Sequence, residues 1–235
     1  AVKGEDGKAY GIPYTVETYG IIYNNAIMEK YFALDGAVVK SMDEINSYDK
    51  LKEVVEDMTA KKKDLGIDGV FASTSLKPGE DWRWQTHLAN LPIYYEYKDN
   101  KVSDMDKIEF KYAENYKNIL DLYMDNSVSE KGLLGSVDVA TSMAEFALGQ
   151  CAMVQNGNWA WSQISEVDGN TVKAEDIKFM PIYFGVDDEN EGLCTGTENF
   201  WCINSQASKE DIQATKDFLT WLTTDSEGKA YMYKS

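Results

Sequence analysis

The 235-residue chain is poor in the side chains that carry covalent chemistry and metal binding: one histidine, three cysteines and four prolines. A single His87 offers no histidine pair for zinc, and no nucleophile elbow surrounds it, so a Ser–His–Asp hydrolase is not expected. A lone histidine of this kind reads as structural. Cys151, Cys194 and Cys202 are odd in number and match no zinc spacing. Cys151 and Cys202 sit in apolar runs, so the cysteines read as small buried hydrophobes. No run of 18 apolar residues occurs, which excludes a conventional helical membrane span. Positive charge is scarce too. Lys and Arg number 23 against 40 Asp and Glu, a formal net charge of −17, which opposes binding to nucleic acid or anionic lipid. The stretch Gly132 to Gly135 lacks the Lys-Ser/Thr ending of a phosphate loop, so nucleotide binding is rejected. Asp187, Glu189, Glu191, Gly192 and Glu198 fall at calcium-loop positions. However, Glu is too long at the third and fifth, Cys194 takes the eighth, and an exposed loop is the better reading. No cofactor and no metal are expected.

Aromatic residues are abundant, with 15 Tyr and 6 Trp, and the composition, 43% hydrophobic and 27% charged, is that of a globular chain. The length suits one large domain or two modest ones with a real core. The chain is organised around Asn156-Gly157-Asn158-Trp159-Ala160-Trp161. Four apolar residues, Cys151 to Val154, predict a short buried strand. Gly157 permits a tight turn, and Asn158 is placed to cap a following helix. Trp159 is then presented at that helix start, where one flat face can meet a ligand. The alternative is that it fills the core.

In order along the chain, strands are predicted on either side of residues 14–18, with Glu17 alone among β-formers. A helix over 26–34 follows, then a capping box at Ser41 to Glu44 and an amphipathic helix over 48–63. The run Lys61-Lys62-Lys63 suits a helix C-terminus rather than a binding patch. Gly69 to Ser73 reads as a strand, followed by a loop that delivers Glu80, Asp81, Trp82 and Arg83 to a helix start capped by Asp81, with one of Trp82 and Trp84 left for the core. Residues 91–110 read as a surface strand or hairpin. Helices are expected over 112–125 and 138–148. A strand over 177–183 is broken by Pro181 and belongs at an edge or at a crossing between units. Phe200 to Asn204 reads as a buried strand, Ser208 caps a helix with Ile212, Phe218, Leu219 and Leu222 on one face, and a short helix ends the chain. Alternation of strands with helices implies α/β layers with much of the sheet parallel.

Four segments together resemble the extracellular solute-binding proteins of carbohydrate ABC transporters, the maltose-binding-protein-like group. They are Asp6 to Pro13 with Ile21 to Asn25, Phe146 to Met153 leading into Asn156 to Trp161, Phe200 to Asn204 before a Ser-Lys-Glu helix, and Phe218-Leu219 with Thr224 to Gly228. The resemblance implies an α/β, periplasmic-binding-protein type II-like fold with two lobes joined by hinge crossings, lobe one being incomplete in this chain. On that pattern residues 1–18 are a crossing and the end of lobe one, 19–183 are lobe two, and 184–235 return to lobe one; the chain reads as an internal fragment. Trp159 matches the stacking tryptophan of lobe two, and Glu17 a crossing carboxylate. Trp82 with Glu80, Asp81 and Arg83 falls at a second binding loop, and Tyr14 and Asn156 complete the expected ligand set. The implied function is non-catalytic: a sugar or oligosaccharide is bound outside the membrane and passed to the permease subunits of an importer by hinge closure, by a monomer tethered in full length as a lipoprotein. A receptor for a cationic ligand such as a polyamine, and a two-carboxylate glycoside hydrolase, are the alternatives.

Overall fold

The computed structural model describes residues 2–186 and 192–234. The acidic segment 187–191, read above as an exposed loop, lies outside the described residues. In chain order the strands are β1 (Val2–Lys3), β2 (Ala9–Pro13), β3 (Glu17–Asn24), β4 (Gly69–Phe71), β5 (Cys151–Gly157), β6 (Ile177–Met180), β7 (Cys194–Gly196) and β8 (Phe200–Trp201). The α-helices are α1 (Asn25–Phe32), α2 (Tyr48–Ala60), α3 (Lys62–Leu65), α4 (Asn90–Asn100), α5 (Ala113–Asp125), α6 (Val139–Ala147), α7 (Ala160–Ser165), α8 (Lys209–Thr224) and α9 (Ser226–Lys234). They form two compact units, residues 18–195 and residues 1–17 with 196–235.

The larger unit is built on a sheet of order β4-β5-β3-β6, with β7 also paired to β3. Every residue of β5, and Tyr19 to Asn24 of β3, is buried, as expected of strands covered on both faces. Neighbours along each strand serve opposite layers. Ile21 and Met153 join a core with α1, α2 and α5, including Met28, Leu51 and Ile119. Ile22 and Val154 join a second one with Met143, Phe146 and Ile164 from α6 and α7. β4 and β5 are parallel, whereas β3 runs antiparallel to β5 and to β6. The expectation of a mostly parallel sheet is corrected here. Strand–helix alternation constrains successive strands, whereas β5, β6 and β7, which pair with β3, all come from more than a hundred residues downstream.

Periodicity found α2: Leu51, Val54, Val55 and Met58 share one buried face, and the Ser47 side chain accepts from Lys50 N. The predicted single helix to 63 breaks at Lys61, and α3 ends at Gly66, whose φ of 74° closes the turn in the left-handed region. Residues 90–100 form a helix, not a strand. Leu91 and Tyr95 are buried one turn apart, and the buried Glu96 carboxylate accepts from Glu109 N and Lys111 N at 2.9 and 2.6 Å. β6 lies at the sheet edge and stops before Pro181.

In the smaller unit β2 pairs with β1 and β8, antiparallel on both sides. Ser208 caps α8 through Asp211 N at 3.1 Å. Within α8 only Leu219 is buried, and Phe218 and Trp221 are exposed. The predicted buried strand at 200–204 is reduced to the two residues of β8, and Cys202 is exposed. An apolar run alone does not bury a strand paired on one side. Among the described residues no helix is long and apolar enough to cross a membrane.

Candidate functional site

The distinctive surface of the larger unit is an aromatic group drawn from β3, the segment after Glu80 and the end of β5. Gly157 pairs with Tyr19, and having no side chain it lets the Trp159 indole fold back over its backbone. A Cβ built there would lie 2.2 Å from two of the ring carbons. The turn is tied to β3 twice: Asn158 N donates to Thr18 O at 2.9 Å, and Thr18 N donates to Asn158 Oδ1 at 3.3 Å. Asn158 therefore does not cap α7, as the sequence suggested. Its oxygen is spent on β3, and Trp159 itself stands at the cap position without a side-chain bond.

Residues 83–88 wind as a π-helix, the wider i→i+5 turn that recurs at functional sites. It places Trp82 and His87, five residues apart, in edge-to-face contact at 5.0 Å. His87 stacks flat on Tyr19 at 4.2 Å and meets Trp159 at 5.3 Å, while Trp82 and Trp159 lie 6.1 Å apart at 40°. Trp82 is 36% exposed and Trp159 half-buried, whereas His87 is buried. Trp159 Nε1 has no hydrogen-bond partner among the described residues. Of the two tryptophans near 83, Trp84 is the core one: buried, with Nε1 donating to Ser75 O at 3.1 Å.

Arg83 is buried beneath this group. Its guanidinium lies 4.0 Å from the centre of the Trp82 ring, and Nε donates to Asn156 Oδ1 at 3.0 Å. Burial pulls the group down to about 10, partly offset by Glu80, so it stays a cation at neutral pH. Asn156 is buried too, its Oδ1 also accepting from Gly157 N at 3.0 Å. Asp81 and Glu80 are partly exposed. The Asp81 carboxylate accepts from the Gln85 side chain instead of capping the turn.

In the smaller unit Glu17 accepts from Asn199 Nδ2 at 2.8 Å. Tyr14 stacks on Trp201 at 4.7 Å and 10°. The two rings line an open cavity of about 540 Å³ with Leu222, Tyr231 and Met232. The structure thus brings Trp82, Arg83, Asn156 and Trp159 together in one unit, and places Glu17 and Tyr14 in the other. His87 is the member that sequence reasoning missed. On an α-helix, residues five apart face different ways, so only a π-turn joins it to Trp82.

The chain belongs to the bacterial extracellular solute-binding protein family, whose profile matches residues 1–235. Its fold is shared with solved structures of such proteins. A chitin oligosaccharide binding protein is 21% identical over 92% of this chain and 50% of its own, with a TM-score of 0.66. Maltose-bound MalE3 of T. maritima is 18% identical over 95% and 52%, with a TM-score of 0.60. RafE in complex with raffinose is 19% identical over 97% and 55%, at 0.55. The chain spans about half the length of these structures. No curated protein matches it in sequence.

Proposed function

We propose that this chain is the ligand-gripping part of a carbohydrate-binding protein that works outside the membrane, tethered as a lipoprotein, and hands a sugar or oligosaccharide to an ABC importer without catalysis. The observation that carries the reading is the pair of partly exposed indoles, Trp82 and Trp159, 6.1 Å apart, one at the start of the π-helix and the other just past β5. The apolar C–H face of a pyranose lies well against an indole, and its hydroxyl rim wants paired acceptors. Glu80 and Asp81 stand beside Trp82 in the chain. Buried polar groups that bond each hydroxyl reject ligands lacking it. Contacts made better in a closed than an open form then drive hinge closure. The chitin-oligosaccharide, maltose and raffinose binders that share the fold support the ligand class.

The test is calorimetry of the full-length protein against maltose, raffinose and chitin oligosaccharides, with spermidine as the cationic control. Sugar binding weakened by Trp159→Ala by about 2 kcal/mol, with little dependence on salt, supports the reading. Binding confined to spermidine and lost steeply with added salt rejects it.

A further inference from the structure

We infer that Arg83 is a positioning residue of the aromatic site: its buried guanidinium acts as a rivet that holds Trp82 against Trp159. This rests on the binding role proposed for the two indoles, but its test does not need a sugar. The argument starts from what the residue costs. A buried cation is expensive unless it is paired. Among the described residues no carboxylate lies within salt-bridge distance of Arg83, and Glu80 reaches it only through space. Its Nη1 has no partner among the described residues, and it lines a small internal cavity with Tyr123 OH and Gln155 Oε1, equally unpartnered there. An apolar side chain of similar length would fill this place without stranding an N–H. The residue is therefore poorly explained by stability.

Geometry supplies the alternative. One face of the guanidinium lies 4.0 Å from the Trp82 ring centre, a cation–π contact made in a dry setting where it is strong. Its Nε is fixed by Asn156 Oδ1 at 3.0 Å, and that same oxygen takes Gly157 N at 3.0 Å. Gly157 in turn carries the Trp159 ring over its backbone. A single planar group thus joins the segment bearing Trp82 to the turn bearing Trp159. Lysine has no planar fork to make both contacts at once.

The test compares wild type with Arg83→Met and Arg83→Lys in the full-length protein. The first readout is the far-UV circular-dichroism couplet of the Trp82–Trp159 pair, assigned by its loss in Trp82→Phe and Trp159→Phe. The second is affinity for whichever of maltose, raffinose and chitin oligosaccharide the wild type binds. The expected result is a folded Arg83→Met with an unchanged or higher melting temperature, a lost couplet and binding about tenfold weaker, with Arg83→Lys part-way between. A lower melting temperature with couplet and affinity intact overturns the proposal, and the same result in Arg83→Lys does so if the methionine variant fails to fold. If the wild type binds none of the three sugars, the ligand reading fails, and the couplet alone still decides the role of Arg83.

Discussion

Gly157→Ala probes the placement of the Trp159 ring with one methyl group. Gly157 sits in β5 with an ordinary φ, so alanine suits the backbone and slightly stiffens the unfolded chain. The added Cβ would stand 2.2 Å from Cη2 and Cζ3 of Trp159 and 2.6 Å from Cε3, and from no backbone atom that close. Carbon atoms in contact sit about 3.5–4.0 Å apart, so the indole must retreat by roughly 1.3 Å or more. Among the described residues no hydrogen bond on Nε1 holds it in place, so the ring swings and the fold survives. The expected melting temperature stays within about 4 °C of wild type, equivalent to about 1 kcal/mol for a chain of this size. Sugar affinity should fall by about 2 kcal/mol, roughly thirtyfold, close to the loss in Trp159→Ala. Calorimetry and a thermal melt measure both. If Gly157→Ala binds as wild type does while Trp159→Ala does not, the ring's position over Gly157 is irrelevant to the ligand and the platform argument is refuted.

Three further outcomes concern the frame of the larger unit. Glu145 is buried and accepts from Ser73 N at 2.6 Å and Ser73 Oγ at 2.8 Å; Glu145→Ala strands both donors and should cost about 1.5–3 kcal/mol in urea unfolding. Tyr31 OH donates to Asp57 Oδ2 at 2.7 Å and accepts from Val38 N at 3.2 Å, so Tyr31→Phe should cost about 1–2 kcal/mol in the same assay. Asp138 caps α6, and Thr141 N, then the Thr141 hydroxyl, then Lys77 hold its carboxyl down at about 2. Its folded value is below the ordinary 3.8, so its stabilising contribution is complete above pH 3.8 and is lost as the pH falls toward 2. Asp138→Asn should flatten the melting-temperature profile in that window.

Elements whose apolar period matched a regular helix or strand were legible in the sequence: α2, α5, α6 and β5 stand within a residue or three of their predicted spans. The misreadings have local causes. Tyr94, Tyr95 and Tyr97 suggested a strand because aromatics favour one, but Leu91 and Tyr95 are the spacing that the core used. Sheet direction was hidden because β3 pairs only with distant strands. Asn158 looked like a cap because its chemistry fits one, and tertiary pairing with Thr18 claimed that chemistry first.

The site was partly legible for a related reason. Tryptophans at a turn and beside a loop announce themselves by size and position, and the structure draws Trp82 and Trp159 together. What joins them breaks the rules that make sequences readable. Arg83 reads as a ligand residue on a binding loop, and arginine is almost never fully buried unless paired, yet it is 3% exposed without a paired carboxylate among the described residues. His87 reads as isolated because the α-helical period separates it from Trp82, and the π-turn removes that separation. Both departures fall in the same six residues, 83–88. Local rules are expected to fail where function, not stability, chose the residue. A wider helix, a buried cation unpaired among the described residues and a ring-stacked histidine under one pair of indoles are what the proposed binding role would ask of such a segment, and the folding of the chain around them would not.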